Sequence, residues 1–282
     1  MRNIVLIPNI TKDKDLAVTK KVATYLSAFG ASVYIDEKYN TDFGVATRYS
    51  KVPSTAELLI VVGGDGSVID ASVIGVELEI PVLGINLGHL GYLAEVEIDE
   101  IETLSRLFSG QYEIEEKMLL SVDMIADGKI KSSERFAVND IIISHDKFLG
   151  ISDFSLTNNQ GESIKYRADG ITLSTPVGST AYSLSAGGPI VGHDVDAIVA
   201  TPVCPHSFFN RSIVFRSDEA LKLKNNGTSS LNISVDGRFF SELKFNEECI
   251  VRASEKRLKM LTFNKNNMFS TLFGKMNRFE SI

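Results

Sequence analysis

Three nearly continuous apolar runs constrain the fold of this chain more than any other feature: "NIVLIP" at 3–8, "ELLIVV" at 57–62 and "IPVLGIN" at 80–86. A strand with one face in water alternates apolar and polar residues. A continuous run suits a strand covered on both faces, as in a parallel sheet flanked by helices. After the first run, Val18, Val22 and Leu26 recur at helical spacing with Tyr25 and Phe29 alongside, and Gly30 stands where a helix-terminating glycine belongs. "ASVYID" at 31–36 is a further strand, and residues 37–52, which lack periodicity, read as a loop. Asp99 followed by Glu102 is capping-box-like and opens a helix through Ile101, Leu104 and Leu107. Repeated strand–helix–strand order predicts a parallel α/β layer.

The pattern changes near Lys117. "LLSVDMIADGKIKSSERFAV" at 119–138 reads as two strands joined across Asp127-Gly128, a strong hairpin signal. "IIISH", "DFSLTNNQGESIKYRA", "ITLST", "LKLKNNGTSSLNISVDG" and "CIVRAS" continue as short strands between Asn, Gly and Asp turns. The expected organisation is an α/β domain with a parallel sheet over residues 1–117, followed by a β-rich, β-sandwich-like domain over 118–263. The tail, 264–282, has apolar residues at near-helical spacing and is expected to pack back on the first domain. With 282 residues, 44% of them hydrophobic, the chain can fill two cores.

Charge and composition narrow the function. A net charge of −7 argues against nucleic acid and anionic membrane surfaces as partners. The aliphatic run Leu58–Val62 is far too short to span a bilayer, and the N-terminus lacks a signal-peptide cleavage pattern, so a cytoplasmic location is expected. Cys204 and Cys249 make no disulfide framework and show no zinc-site spacing. His89, His145 and His193 lack HExxH-type spacing, so no intrinsic metal site is expected, and any magnesium would arrive with a nucleotide.

"VVGGDGSVIDA" at 61–71 places Gly63, Gly64 and Gly66 where a parallel strand feeds a turn, a usual ligand position in α/β proteins. Glycine permits positive φ and lets a phosphate approach backbone amides, and Ser67 can open a helix whose positive end adds to the cradle. The loop is neither a Walker A motif nor GxGxxG. Asp65 in its middle can accept a proton from a hydroxyl attacking a phosphoryl group, or it can simply cap the helix.

In "FAVNDIIIS", Asn139-Asp140 supplies complementary donors and acceptors for ribose hydroxyls or an adenine edge. It also reads as a turn pair that starts a strand. "YRADGITLSTPVGSTAYSLSAGGPIV" at 166–191 gathers Ser179, Thr180, Ser183 and Ser185 around Tyr182, a set that can read a base edge and stack on its face. A Ser/Gly-rich connection between strands accounts for the same composition. "TPVCPHSFFNR" holds His206 and Arg211, and a lone histidine there is more often structural than titrating.

Together, GGDGS at 63–67, "GINLGHLGYLAE" at 84–95, Asn139-Asp140, the block at 167–191 and "TPVCPHSFFNRSIV" at 201–214 resemble the NAD kinase family across both expected domains. The resemblance implies transfer of the γ-phosphate of ATP to the 2′-hydroxyl of NAD's adenosine ribose, producing NADP. It implies that Asp65 is the proton acceptor and that Gly66 belongs to the same ligand-contacting turn. Asn139 and Asp140 would contact the dinucleotide, with Arg167, Asp169, Thr180, Ala181, Tyr182, Ser183, Ser185 and Arg238 completing its pocket. Family members are usually oligomers, so a tetramer or dimer of this chain is expected. Four residues depart from the family pattern: Ser67 for Thr, Asp140 for Glu, Arg238 for Gln or another polar residue, and Ser212 for Pro. A shorter Asp140 loosens a ribose contact, and a fixed cation at Arg238 alters affinity for the dinucleotide.

The donor stays open between ATP, another nucleoside triphosphate and polyphosphate, with Mg2+ the expected divalent cation. Rival readings are a non-catalytic NAD(P)(H) sensor and a lipid kinase of the diacylglycerol or sphingoid type.

Overall fold

Strands that are apolar along their whole length need cover on both faces, and the first part of the chain is built to provide it. The computed structural model describes residues 2–39, 43–88, 91–126, 129–145, 150–206, 209–263 and Leu272. The chain divides into two units: Met1–Glu116 together with the chain from Leu258, and Lys117–Arg257.

In the first unit the strands are β1 (Asn3–Pro8), β2 (Ser32–Asp36), β3 (Ala46–Tyr49), β4 (Leu58–Gly63), β5 (Val82–Asn86) and β6 (Ala94–Glu97). They form a parallel sheet in the order β5-β4-β1-β2-β3, with β6 also parallel on β5. Every residue of β4 and β5 is buried. Helix α1 (Ala17–Ala28) packs through Val22, Ala23 and Leu26 against Ile4, Leu6, Leu58 and Ile60. Helix α2 (Asp65–Glu77) follows β4 after a single residue and starts two positions earlier than the sequence suggested.

Two local expectations differ from the structure. The stretch read as a loop at 37–52 contains β3, an edge strand paired in parallel with β2 from Val33↔Ala46 to Asp36↔Tyr49. Its side chains are only partly covered or exposed, so no apolar alternation announces it. The helix expected from Asp99 is a 3₁₀ segment, Ile98–Ser105, leading into the short α3 (Arg106–Ser109), and no side chain caps it. Ile101, Leu104 and Leu107, all buried, are spaced by threes, which suits three residues per turn.

Two sheets and a core between them make up the second unit. Its strands are β7 (Glu113–Ala126), β8 (Lys129–Ala137), β9 (Asp140–His145), β10 (Ser152–Thr157), β11 (Ser163–Ala168) and β12 (Gly170–Ser174). After the short helix α4 (Tyr182–Ser185) come β13 (Ala197–Val203), β14 (Ile213–Arg216), β15 (Ala220–Asn225), β16 (Leu231–Val235), β17 (Arg238–Leu243) and β18 (Glu248–Thr262). One antiparallel sheet runs β14-β13-β12-β9-β16-β17. The other runs β11-β10-β15-β18, with β7 beside β18 and β8 beside β7. Ile141, Ile143, Ile171, Leu173 and Ile233 of the first sheet share a core with Phe154, Leu156, Leu221, Leu223 and Val251 of the second.

β7 and β8 pair antiparallel, while the Asp127-Gly128 turn between them lies outside the described residues. So does the tail from 264, apart from Leu272. β18 continues past Arg257 into the first unit, where Met260 pairs with Val82 of β5. Among the described residues no helix is long and apolar enough to cross a membrane.

Candidate functional site

In the first unit, register brings the carboxyl ends of three parallel strands together: Pro8 of β1 lies beside Val62, and Gly63 of β4 beside Asn86 of β5. The glycine turn leaves β4 at this edge. None of Gly63, Gly64 or Gly66 uses the positive φ that glycine permits. The reason for glycine at 63 is close approach, since a Cβ there would lie 2.5 Å from the Ser67 hydroxyl. That hydroxyl accepts a hydrogen bond from Asn9 Nδ2 at 2.7 Å, so Ser67 ties α2 to the end of β1.

Asp65 is the first residue of α2, directly after its N-cap residue Gly64. Its carboxylate accepts three backbone N–H bonds from across the loop: Tyr92 at 2.8 Å, Leu93 at 3.0 Å and Ala94 at 3.1 Å. These three bonds turn the carboxylate toward the 92–94 segment. Gly91 makes the arrangement possible, because a Cβ there would lie 2.2 Å from Asp65 Oδ1. Burial and the Asp65 charge together hold the Tyr92 phenol above its usual range. The result is an acid oriented by fixed amides at the mouth of a glycine turn, with the positive end of α2 beside it.

The second unit joins three segments that are far apart in sequence. The β16–β17 hairpin turns through Asp236 and Gly237, both at positive φ. The Asp236 carboxylate accepts the backbone N–H groups of Val138 at 2.8 Å, Asn139 at 2.8 Å and Asp140 at 3.1 Å. Thr175 holds the same segment from the other side: its hydroxyl donates to Val138 O at 2.6 Å and its N–H to Asn139 O at 2.9 Å. Gly178, just after it, sits so close that a Cβ would meet the Asn139 carbonyl oxygen at 1.9 Å. Asn139-Asp140, the 175–185 loop and the 235–238 turn are thus one construction.

Within that loop the hydroxyls divide by role. Ser179 donates to Pro176 O at 2.6 Å and accepts Val191 N–H at 3.0 Å, and Thr180 donates to Val177 O at 2.9 Å. Ser183 bonds Thr201 at 3.2 Å, and Thr201 in turn bonds Ser212 at 2.9 Å, which gives Ser212 a place where the family pattern has proline. These groups build the loop. Tyr182 and Ser185 of α4 are exposed, with Ala181 partly so. Arg167 of β11 is exposed beside Asp153, 3.8 Å away, and Asp169 is fixed through its backbone to Val203 and His145.

Asp140 and Asp236 are close enough to repel. Burial first, then the Asp236 charge, pushes the Asp140 carboxyl from 3.8 up to about 7. Asp236 is also raised by burial, but three amide donors and Arg238 pull it back. Asp140 therefore gives up its proton only near neutral pH, well above an ordinary carboxyl, because burial and the neighbouring Asp236 both disfavour its charge. An acid with a raised value keeps its proton in the folded chain after the unfolded chain has released it. The contribution of Asp140 to stability therefore falls as pH rises from about 4 to about 7. Asp140→Asn is expected to melt above the wild type at about pH 8, with the gap closing toward about pH 4. A gap that does not change with pH would show an ordinary carboxyl at this position.

Sequence reading missed the residues that orient the others: Asn9, Gly91, Thr175 and Asp236. Gly91 and Thr175 lie inside motifs that carry the resemblance, and Asp236 had the Asp-Gly signal of a hairpin turn. Among the described residues no group of three His, Cys, Asp or Glu side chains is placed to hold a metal ion.

Comparison with known proteins gives the family. Residues 4–112 match the family model of the ATP-NAD kinase N-terminal domain, and residues 138–263 that of the ATP-NAD kinase C-terminal domain. An NAD kinase of Lachnoclostridium phytofermentans is 37% identical over 280 residues, covering 96% of this chain and 98% of that one. One from Caldanaerobacter subterraneus is 34% identical over 281 residues, covering 98% and 99%. Among solved structures, a yeast NADH kinase complexed with NADH superposes with a TM-score of 0.80 at 23% identity, covering 96% of this chain and 86% of that one. An NAD kinase from Archaeoglobus fulgidus in complex with ATP gives 0.73 at 22% identity, covering 98% and 99%. The two structures share the fold, and the family models and sequence relatives decide the assignment: the chain belongs to the NAD kinase family.

Proposed function

We propose that this chain makes NADP by moving the γ-phosphate of ATP to the 2′-hydroxyl of the adenosine ribose of NAD, with Asp65 accepting the hydroxyl proton. Membership of the family makes NAD phosphorylation its activity. The observation that carries the role of Asp65 is its carboxylate, held by Tyr92, Leu93 and Ala94 at the end of the glycine turn.

In the transfer, the 2′-oxygen forms a bond to the γ-phosphorus, the bond from that phosphorus to the β–γ bridging oxygen breaks, and ADP leaves. The hydroxyl proton passes to Asp65. A ribose hydroxyl is a poor nucleophile at neutral pH, so taking its proton during attack assists the step. ATP comes as its Mg2+ complex, in which the ion offsets phosphate charge. Amides around Gly63, Gly64, Gly66 and Ser67 receive phosphate. Asn139, Asp140, Arg167, Asp169, the Thr180–Ser183 run, Ser185 and Arg238 bind the dinucleotide. Exposure of Tyr182 and Ser185 supports their part, and the internal bonds of Ser179, Thr180 and Ser183 favour a supporting one for these hydroxyls. A cytoplasmic homo-oligomer, tetramer or dimer, completes the reading, and light scattering on the purified protein measures the assembly.

The test is purified protein with NAD, ATP and Mg2+, with product read by an NADP-specific dehydrogenase. NADP formation is the expected result. Saturable NAD binding with no product from ATP, other nucleoside triphosphates or polyphosphate would leave a sensor. Phosphorylation of diacylglycerol or a sphingoid base in place of NAD would make it a lipid kinase.

A further inference from the structure

We propose that Lys12 is a second working residue of the glycine turn, its ammonium binding the phosphate chain of the donor nucleotide. The inference rests on the phosphoryl-transfer reading above and adds a residue that reading does not use. "NITKDKD" at 9–15 reads as a charged surface turn, but the structure fastens it at several points. Asn9 N–H donates to Val62 O at 2.8 Å, and Asn9 Nδ2 donates to the Ser67 hydroxyl at 2.7 Å. The turn closes on the same residue. Asn9 Oδ1 accepts Thr11 N–H at 3.0 Å and the Thr11 hydroxyl at 2.6 Å, while Asn9 O accepts the N–H groups of Lys12 at 3.1 Å and Asp13 at 2.8 Å. One asparagine thereby locks the Lys12 backbone to the end of β4 and the first turn of α2.

The side chain reaches the glycines. A Cβ at position 64 would lie 2.7 Å from Lys12 Nζ, and one at position 88 would lie 3.5 Å from it. The ammonium therefore stands between the turns that leave β4 and β5, on the surface that the missing side chains leave open. The nearest acid in sequence is committed elsewhere: Asp13 accepts Val18 N–H, Thr19 N–H and the Thr19 hydroxyl. Among the described residues no carboxylate lies within ion-pair distance of Lys12. A surface lysine is ordinarily a solvated charge. Here the charge is set on a rigid turn against two glycines and faces the site of phosphate transfer. A fixed cation there offsets the negative charge that shifts onto the leaving phosphate.

Lys12→Met removes the charge and keeps the length, and Lys12→Arg keeps the charge. The expected result for Lys12→Met is a loss of about 10–100-fold in kcat/KM for ATP, the loss of one charge-assisted contact. NAD affinity and melting temperature should be unchanged, with partial recovery in Lys12→Arg. An unaltered kcat/KM for ATP overturns the proposal, and so does a loss that tracks NAD affinity or melting temperature. If the wild type makes no NADP, the reading of the reaction has failed, and inorganic tripolyphosphate binding to wild type and Lys12→Met decides the matter. Weaker binding to the variant supports the site, and equal binding overturns it.

Discussion

Asp65→Asn is expected to turn over about 10²–10⁴-fold more slowly than the wild type, the usual worth of general-base assistance. The structure adds a second consequence. Asp65 Oδ2 accepts Tyr92 N–H while Oδ1 accepts Leu93 and Ala94. Asparagine has one acceptor oxygen, so in either orientation its NH2 group faces at least one backbone donor. An unmet donor of this kind costs about 1–3 kcal/mol, so the melting temperature falls along with turnover. Gly91→Ala tests the position of the acid and not its chemistry. It keeps the carboxylate but places a Cβ 2.2 Å from Oδ1, which forces the acid out of position. Both variants should lose activity if a positioned base does the work. Near-normal turnover in folded Asp65→Asn would eliminate the base role and leave Asp65 as the residue that holds the 92–94 segment.

The largest structural effect is expected at Gly178. An added methyl there meets the Asn139 carbonyl oxygen at 1.9 Å, its carbon at 2.5 Å and its Cα at 2.7 Å. All three are backbone atoms, so no rotamer change relieves the overlap. Either the 175–180 loop or the Asn139 segment must move, and moving either strains the Thr175 bonds to Val138 O and Asn139 O. Gly178→Ala should therefore reach the upper end of the roughly 1–3 kcal/mol typical of overpacking. That corresponds to a drop of roughly 5–10 °C in melting temperature. NAD affinity should fall with it, because Asn139 and the 180–185 run are displaced together. Gly66→Ala is the control for stability, since a Cβ there meets no atom within 4 Å. If Gly178→Ala melts with the wild type, the junction of these segments is softer than its distances indicate.

Much of this was legible in the linear order of residues. Continuous apolar runs require two-sided cover, and they became the fully buried β4 and β5. Alternating runs between Asn, Gly and Asp turns became the two sheets of the second unit. The motif order from GGDGS to the 167–191 block pointed to the family directly. The misses share a cause. β3 is an edge strand held by backbone pairing to β2, and its side chains carry no pattern. The Ile101–Leu104–Leu107 spacing fits a 3₁₀ turn as well as an α-helix, and the chain takes the 3₁₀ form over Ile98–Ser105.

The site divides in the same way. Sequence alone determined which chemical groups are present and roughly where on the fold they lie, because strand burial and glycine turns are written in local composition. Only the tertiary structure decided what each group touches. It turned Asp65 to the 92–94 amides, gave Asp236 the 138–140 amides and set Lys12 against Gly64 and Gly88. Those partners stand 27 to 29 residues from Asp65 and 96 to 98 from Asp236. Contacts at such separations are set by strand register and packing, which no local pattern encodes.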